Sequence, residues 1–140
     1  EGLLLSSRND SYVSTYERNK ILVVEDDIMI AKYLEKILTN GGVECDFAVD
    51  GLEALKLLEK QKYDIVISDI KMPIMDGVTL FREVAKSNKI SFKPPFLFCT
   101  AGANIDFESL RAYENMILID VLYKPFKAYD IYEKLKVVQK

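Results

Sequence analysis

A parallel α/β sheet of five strands, covered by helices on both faces, is the fold class this chain predicts. Three observations carry it. Short continuous apolar runs have the pattern of strands buried on both faces, and segments with apolar residues three and four apart have that of amphipathic helices. The two patterns alternate five times, the rhythm of a parallel sheet with helical crossovers.

Ile21-Leu22-Val23-Val24 is the first strand, and Ile28 to Asn40 the first helix. In that helix Ile30, Tyr33, Leu34, Ile37 and Leu38 recur on one face, and Gly41-Gly42 stops it. Glu44–Val49 is the second strand. Asp50-Gly51-Leu52-Glu53 has capping-box spacing and opens a helix carrying Ala54, Leu55, Leu57 and Leu58. Ile65-Val66-Ile67 is the third strand, ending in Ser68-Asp69. Asp76 caps the third helix, which turns Val78, Phe81, Val84 and Ala85 inward. Pro94-Pro95 leads into a fourth strand, Phe96–Cys99. A helix over Phe107–Asn115, a strand over Ile117–Tyr123 and an amphipathic helix from about Phe126 to Val138 complete the series.

The chain has 140 residues, of which 49% are hydrophobic, enough for one domain with its own core. Residues 20–140 are read as that domain. Glu1–Asn19, polar apart from Leu3-Leu4-Leu5, is read as a linker or tail, and the start at Glu1 suggests a processed or excised piece or an expression artefact. A net charge of −3 argues against a nucleic-acid backbone binder. The absence of histidine removes Ser-His-Asp and Cys-His catalysis and imidazole metal ligation. Cys45 and Cys99 read as small core residues, and the lack of a disulfide framework fits a reducing, cytoplasmic setting. No run is long enough to span a membrane.

In open parallel sheets, chemistry collects at the carboxyl ends of the strands. Glu25-Asp26-Asp27 follows the first strand, Asp69 ends the third, Thr100 follows the fourth, and Lys124-Pro125 follows the fifth. Each has an ordinary explanation alone: Asp26 or Asp27 can cap the first helix, Asp69 and Thr100 can serve turns, and Lys124 can be a solvated lysine. Together they bring carboxylates, a hydroxyl and an ammonium to one sheet edge. Crowded carboxylates repel, and a hard divalent cation relieves this, Mg²⁺ being suited to a site of few carboxylates completed by water and phosphate. The cluster reads as a phosphoryl site with Asp69 as the attacking carboxylate.

The segments Ile21–Asp27 (ILVVEDD), Asp64–Gly77 (DIVISDIKMPIMDG), Thr100-Ala101 and Tyr123–Phe126 (YKPF) resemble the receiver domain of two-component response regulators, over about Lys20 to Lys140. The resemblance implies a flavodoxin-like (βα)5 three-layer sandwich with strand order 2-1-3-4-5. It implies that Asp69 accepts a phosphoryl group from a histidine kinase or histidine phosphotransfer domain. Asp26, Asp27, Asp69 and the backbone carbonyl of Lys71 would hold Mg²⁺, with Glu25 left out of the direct ligands. Lys124 and Thr100 would bind the phosphoryl oxygens, and the Lys124–Pro125 bond would be cis, aiming the lysine inward. Slow self-dephosphorylation and a conformational switch, rather than ordinary turnover, would follow.

The pattern departs at Val121, where such domains usually carry Tyr or Phe. Tyr123, two residues on, either replaces that ring or is simply surface packing. Lys71 either contacts the phosphoryl group or, with Gly102, flanks the path of the hydrolytic water. The face from Phe107 to Tyr132 (helix four, strand five and helix five) would signal and could form a homodimer, with Arg111, Glu114, Asp120, Asp130 and Lys134 as cross-dimer ion pairs. No output domain follows helix five, so the receiver of a hybrid sensor histidine kinase and a stand-alone regulator both fit. Competing readings are an aspartate-nucleophile Mg²⁺ phosphatase, disfavoured because Ile70-Lys71 follows Asp69 where a second aspartate is wanted, and a flavodoxin-like cofactor binder, disfavoured by the acidic first loop. A phosphorylation-independent interaction module is a third.

Overall fold

Five short strands run parallel in the order β2-β1-β3-β4-β5. The computed structural model describes residues 20–102 and 104–138, so the lead-in Glu1–Asn19 lies outside the described residues. Along the chain the elements are β1 (Lys20–Val24), α1 (Ile28–Asn40), β2 (Glu44–Ala48), α2 (Gly51–Lys60), β3 (Ile65–Asp69), α3 (Gly77–Lys86), β4 (Phe96–Thr100), α4 (Phe107–Arg111), β5 (Leu118–Tyr123) and α5 (Ala128–Val138).

The apolar runs are continuous because the central strands are covered on both faces. Ile21 and Val23 of β1 join Ile65, Ile67 and Leu97 beneath α1 and α5, whose Leu34, Ile37, Leu38, Ile131 and Leu135 fill that layer. Leu22 and Val24 point the other way, with Val66, Phe96 and Phe98, into a layer closed by Ala54, Leu58, Leu80, Phe81, Val84 and Leu110. This is the period of two that a pleated strand imposes. Each crossover helix then carries the chain back, so all five strands end on the same edge.

Helix starts follow the acids. Asp50 Oδ1 accepts from Glu53 N at 2.8 Å, and Glu53 Oε1 reaches past the cap to accept from Val49 N at 2.8 Å, a capping box displaced by one residue. Asp76 Oδ1 accepts from Thr79 N at 2.7 Å at the start of α3.

The ends of several elements differ from the sequence expectation. The fourth helix stops at Arg111 instead of Asn115. Beyond it the chain turns to set the Tyr113 ring edge-on against Phe81, 5.9 Å between centroids, and Asn115 Nδ2 donates to Ala85 O. These side-chain anchors replace the missing helical turn. The last helix begins at Ala128, because Phe126 is drawn into the core and Asp130 Oδ2 accepts from Lys127 N. An irregularity in the β4–β5 pairing, between Phe96/Leu97, sets Val121 opposite Phe98 and Tyr123 opposite Thr100.

Candidate functional site

The strand ends bring five side chains together. Glu25 and Asp26 follow β1, Asp69 ends β3, Thr100 ends β4 and Lys124 follows β5. One carboxylate oxygen from each of Glu25, Asp26 and Asp69 lies within 4.8 Å of the other two. Lys124 Nζ closes the cluster, 3.1 Å from Glu25 Oε1 and 3.3 Å from Asp69 Oδ2. Its own backbone is fixed by Lys124 N donating to Thr100 O at 2.7 Å, and the Lys124–Pro125 bond is cis.

Asp69 is 7% exposed, at the mouth of an otherwise apolar strand. Ile70 N donates to its Oδ1 at 2.7 Å, leaving Oδ2 toward the lysine. The loop after it is pinned at both ends, by Gly77 N donating to Ile70 O at 2.8 Å and Gly51 N donating to Met75 O at 2.9 Å. Gly77 permits this closeness. A Cβ there would stand 2.2 Å from Asp69 O and 3.1 Å from Phe98 Cε1. Thr100 is buried, and its Oγ1 accepts from Gly102 N at 3.2 Å.

The acids after β1 exchange the places expected of them. The sequence places Asp27 among the ligands, whereas its carboxylate caps α1, Oδ1 accepting from Met29 N at 2.9 Å and from Ile30 N at 3.4 Å. Glu25, left out of the expected ligands, continues the buried face of β1 and is 4% exposed. Asp27 N donates to its Oε2 at 3.1 Å. Burial pushes the Glu25 carboxyl up to about 7; the Asp69 charge adds to this, while the Asp27 amide and Lys124 oppose it. For Lys124, burial alone would lower the pKa, but the hydrogen bond and charge of Glu25 and the charge of Asp69 outweigh it and raise it.

This donor set fits Mg²⁺: three hard carboxylate oxygens on one small patch, with a single ammonium that leaves them under-compensated. The Lys71 side chain is exposed. Val121 is half-buried against the layer containing Phe98, and Tyr123 is 57% exposed. The charges expected to pair across a dimer are partly engaged within the chain: Lys134 Nζ meets Asp120 Oδ2 at 2.5 Å, and Asp130 serves the start of α5. Among the described residues no helix is long and apolar enough to cross a membrane.

Comparison with known proteins identifies the family of this fold. The family model described as the response regulator receiver domain matches residues 21–136. The chain belongs to this family. A probable transcriptional regulator, ycf29, of Porphyra purpurea is 35% identical over 116 residues, covering 83% of this chain and 54% of that protein. Hybrid signal transduction histidine kinase B of Dictyostelium discoideum is 34% identical over 120 residues, covering 80% of this chain and 6% of that protein. The receiver therefore spans about half, or far less, of these curated relatives. Among solved structures, the receiver domain of sensor histidine kinase PA1611 from Pseudomonas aeruginosa PAO1, with a magnesium ion coordinated in its active site cleft, superposes with a TM-score of 0.73 at 27% identity, over 87% of this chain and 98% of that one. Chemotaxis protein CheY4 of Vibrio cholerae gives a TM-score of 0.73 at 30% identity, over 86% and 98%. The receiver fold and the strand order expected from the resemblance are thus those of the structure.

Proposed function

We propose that this receiver accepts a phosphoryl group on Asp69 from a phosphohistidine of a histidine kinase or phosphotransfer domain, in a Mg²⁺-dependent reaction, and relays a change of conformation to an output. The observation that carries the proposal is the Lys124 ammonium held between Glu25 and Asp69 beside a three-carboxylate nest. Glu25, Asp26 and Asp69, with the Lys71 carbonyl, are the groups that would hold the ion. When bound, the ion supplies positive charge that offsets the carboxylates and the incoming phosphate.

The chain's own residues do the rest. Ile70 N and Lys124 fix the Asp69 carboxylate in one orientation. One of its oxygens forms the new O–P bond as the N–P bond of the donor breaks, and the donor imidazole leaves with the bonding pair. Lys124 exchanges part of its pairing with Asp69 for the phosphoryl oxygens, and the Thr100 hydroxyl donates to another of them, giving up its turn with Gly102. Positioning and charge stabilisation of this kind supply most of the catalysis in phosphoryl transfer. Hydrolysis of the acyl phosphate returns the resting state. A cytoplasmic setting and self-association through α4, β5 and α5 belong to the same reading.

The test uses a small phosphodonor and intact-mass measurement. One phosphoryl group per chain is expected with Mg²⁺, and none with chelator or in Asp69→Asn. Turnover of donor without a stable adduct, or an adduct that persists in Asp69→Asn, would overturn the assignment.

A further inference from the structure

A second pocket lies at the opposite edge of the sheet from the acidic nest. It is an open groove of about 240 Å³ between the α2–β3 and α3–β4 connections. Lys60, Lys62 and Lys89 line it together with a single acid, Glu59, and with Tyr63 and Phe92. Among the described residues none of these three lysines pairs with a carboxylate, and all three side chains are exposed. Lys62 Nζ stands 4.6 Å from the centroid of the Phe92 ring, and that ring is 44% exposed.

The plainest account of lysines at such an edge is compensation of helix C-termini. It covers Lys60, in the last turn of α2. Lys62 and Lys89 stand outside the helices, one and two residues past the caps Gln61 and Ser87. A chain of net charge −3 has acids to spare for neutralising them, yet three ammonium groups gather around one carboxylate.

We propose that this pocket binds a phosphate-bearing anion. Ammonium groups are compact point charges with three donors each and suit phosphate oxygens approached from several sides; selective carboxylate recognition would favour the planar fork of arginine, and no arginine lines the pocket. The partly exposed Phe92 ring gives the organic part of the ligand a flat apolar wall. A volume of about 240 Å³ suits a headgroup or small phosphate ester. The same chemistry is offered by a free phosphate compound and by a phosphorylated lipid headgroup. The pocket shares no residue with the acidic nest, so its occupancy stands apart from phosphoryl transfer at Asp69.

The experiment records amide shifts of isotope-labelled protein in metal-free buffer during titration with inorganic tripolyphosphate and with ATP, alongside sedimentation with phosphatidylcholine vesicles lacking or containing a phosphoinositide. Saturable shifts centred on residues 60–63 and 89–92 are expected, weakening with added salt. The exposed double variant Lys62→Gln, Lys89→Gln is expected to weaken binding at least about tenfold with an unchanged melting curve, while Asp69→Asn binds as the parent does. Binding of the soluble probes assigns the pocket to free phosphates, and binding confined to phosphoinositide vesicles assigns it to headgroups. Absence of saturable shifts with both soluble probes together with no phosphoinositide-dependent sedimentation, shifts centred elsewhere, or full affinity in the double variant would overturn the proposal. Because Asp69→Asn abolishes only phosphoryl acceptance, failure here and failure of that chemistry are separately visible.

Discussion

Replacing Glu25 by Gln should stabilise the metal-free protein, and by an amount that grows with pH. The folded carboxyl titrates near 7 against an ordinary value of 4.5, burial being the first cause. Below pH 4.5 the group is protonated whether the chain is folded or not, and nothing is lost. Between 4.5 and 7 the unfolded chain releases a proton that the folded one keeps, so stability falls as pH rises; above 7 the cost is constant. At about 1.4 kcal/mol per pH unit the full interval is worth roughly 3 kcal/mol. Solvent at the pocket mouth screens part of it, leaving about 1–2 kcal/mol. Gln keeps one carbonyl acceptor for the Asp27 amide or the Lys124 ammonium, and Lys124 retains Asp69 at 3.3 Å. Melting of both proteins at a series of pH values should therefore show equal stability near pH 4 and an advantage of roughly 3–6 °C for the variant at pH 8. Millimolar Mg²⁺ should narrow the gap by raising the parent more than the variant. A difference that stays flat between pH 5 and pH 8, or a variant less stable at pH 8, would refute the reasoning.

Two further outcomes follow from the same geometry. Asp27→Ala removes the α1 cap and should cost about 1 kcal/mol in denaturant unfolding, while Mg²⁺ affinity and phosphoryl uptake at saturating donor stay within about twofold; a loss as deep as that of Asp26→Asn would place Asp27 among the ligands after all. Gly77→Ala puts a Cβ against the Asp69 carbonyl and should destabilise by about 2–3 kcal/mol, with slower phosphorylation by small donors; an unchanged melting temperature would show that the loop yields freely.

What could be read in advance follows from where the information resides. Ile21–Val24 and Phe96–Cys99 declare themselves because a strand covered on both faces needs apolar residues at every position, and the layers above and below receive alternate side chains. Asp50, Asp76 and Glu53 mark helix starts because capping is local chemistry within four residues. Strand order is not local: it depends on which way each crossover turns, and it came from the family resemblance. The end of α4 also escapes local reading. Tyr113 and Asn115 leave the helix for partners on α3, Phe81 and the Ala85 carbonyl, that lie some thirty residues earlier.

The acids after β1 show the difference between motif and position. A pair of adjacent aspartates such as Asp26-Asp27 invites assignment as a unit. Two signals within the sequence pointed elsewhere. A helix beginning at Ile28 makes the residue before it the cap, and a cap carboxylate is held by the amides of the first turn. Meanwhile the alternation Ile21, Val23 continues to Glu25, which must then enter the layer between β1 and the α1–α5 side, where Lys124 stands. An acid can occupy that buried place because a lysine and an amide meet both of its oxygens. The carboxylate cluster therefore takes in Glu25 beside Asp26, while Asp27 caps α1, a placement in keeping with helix capping and strand period.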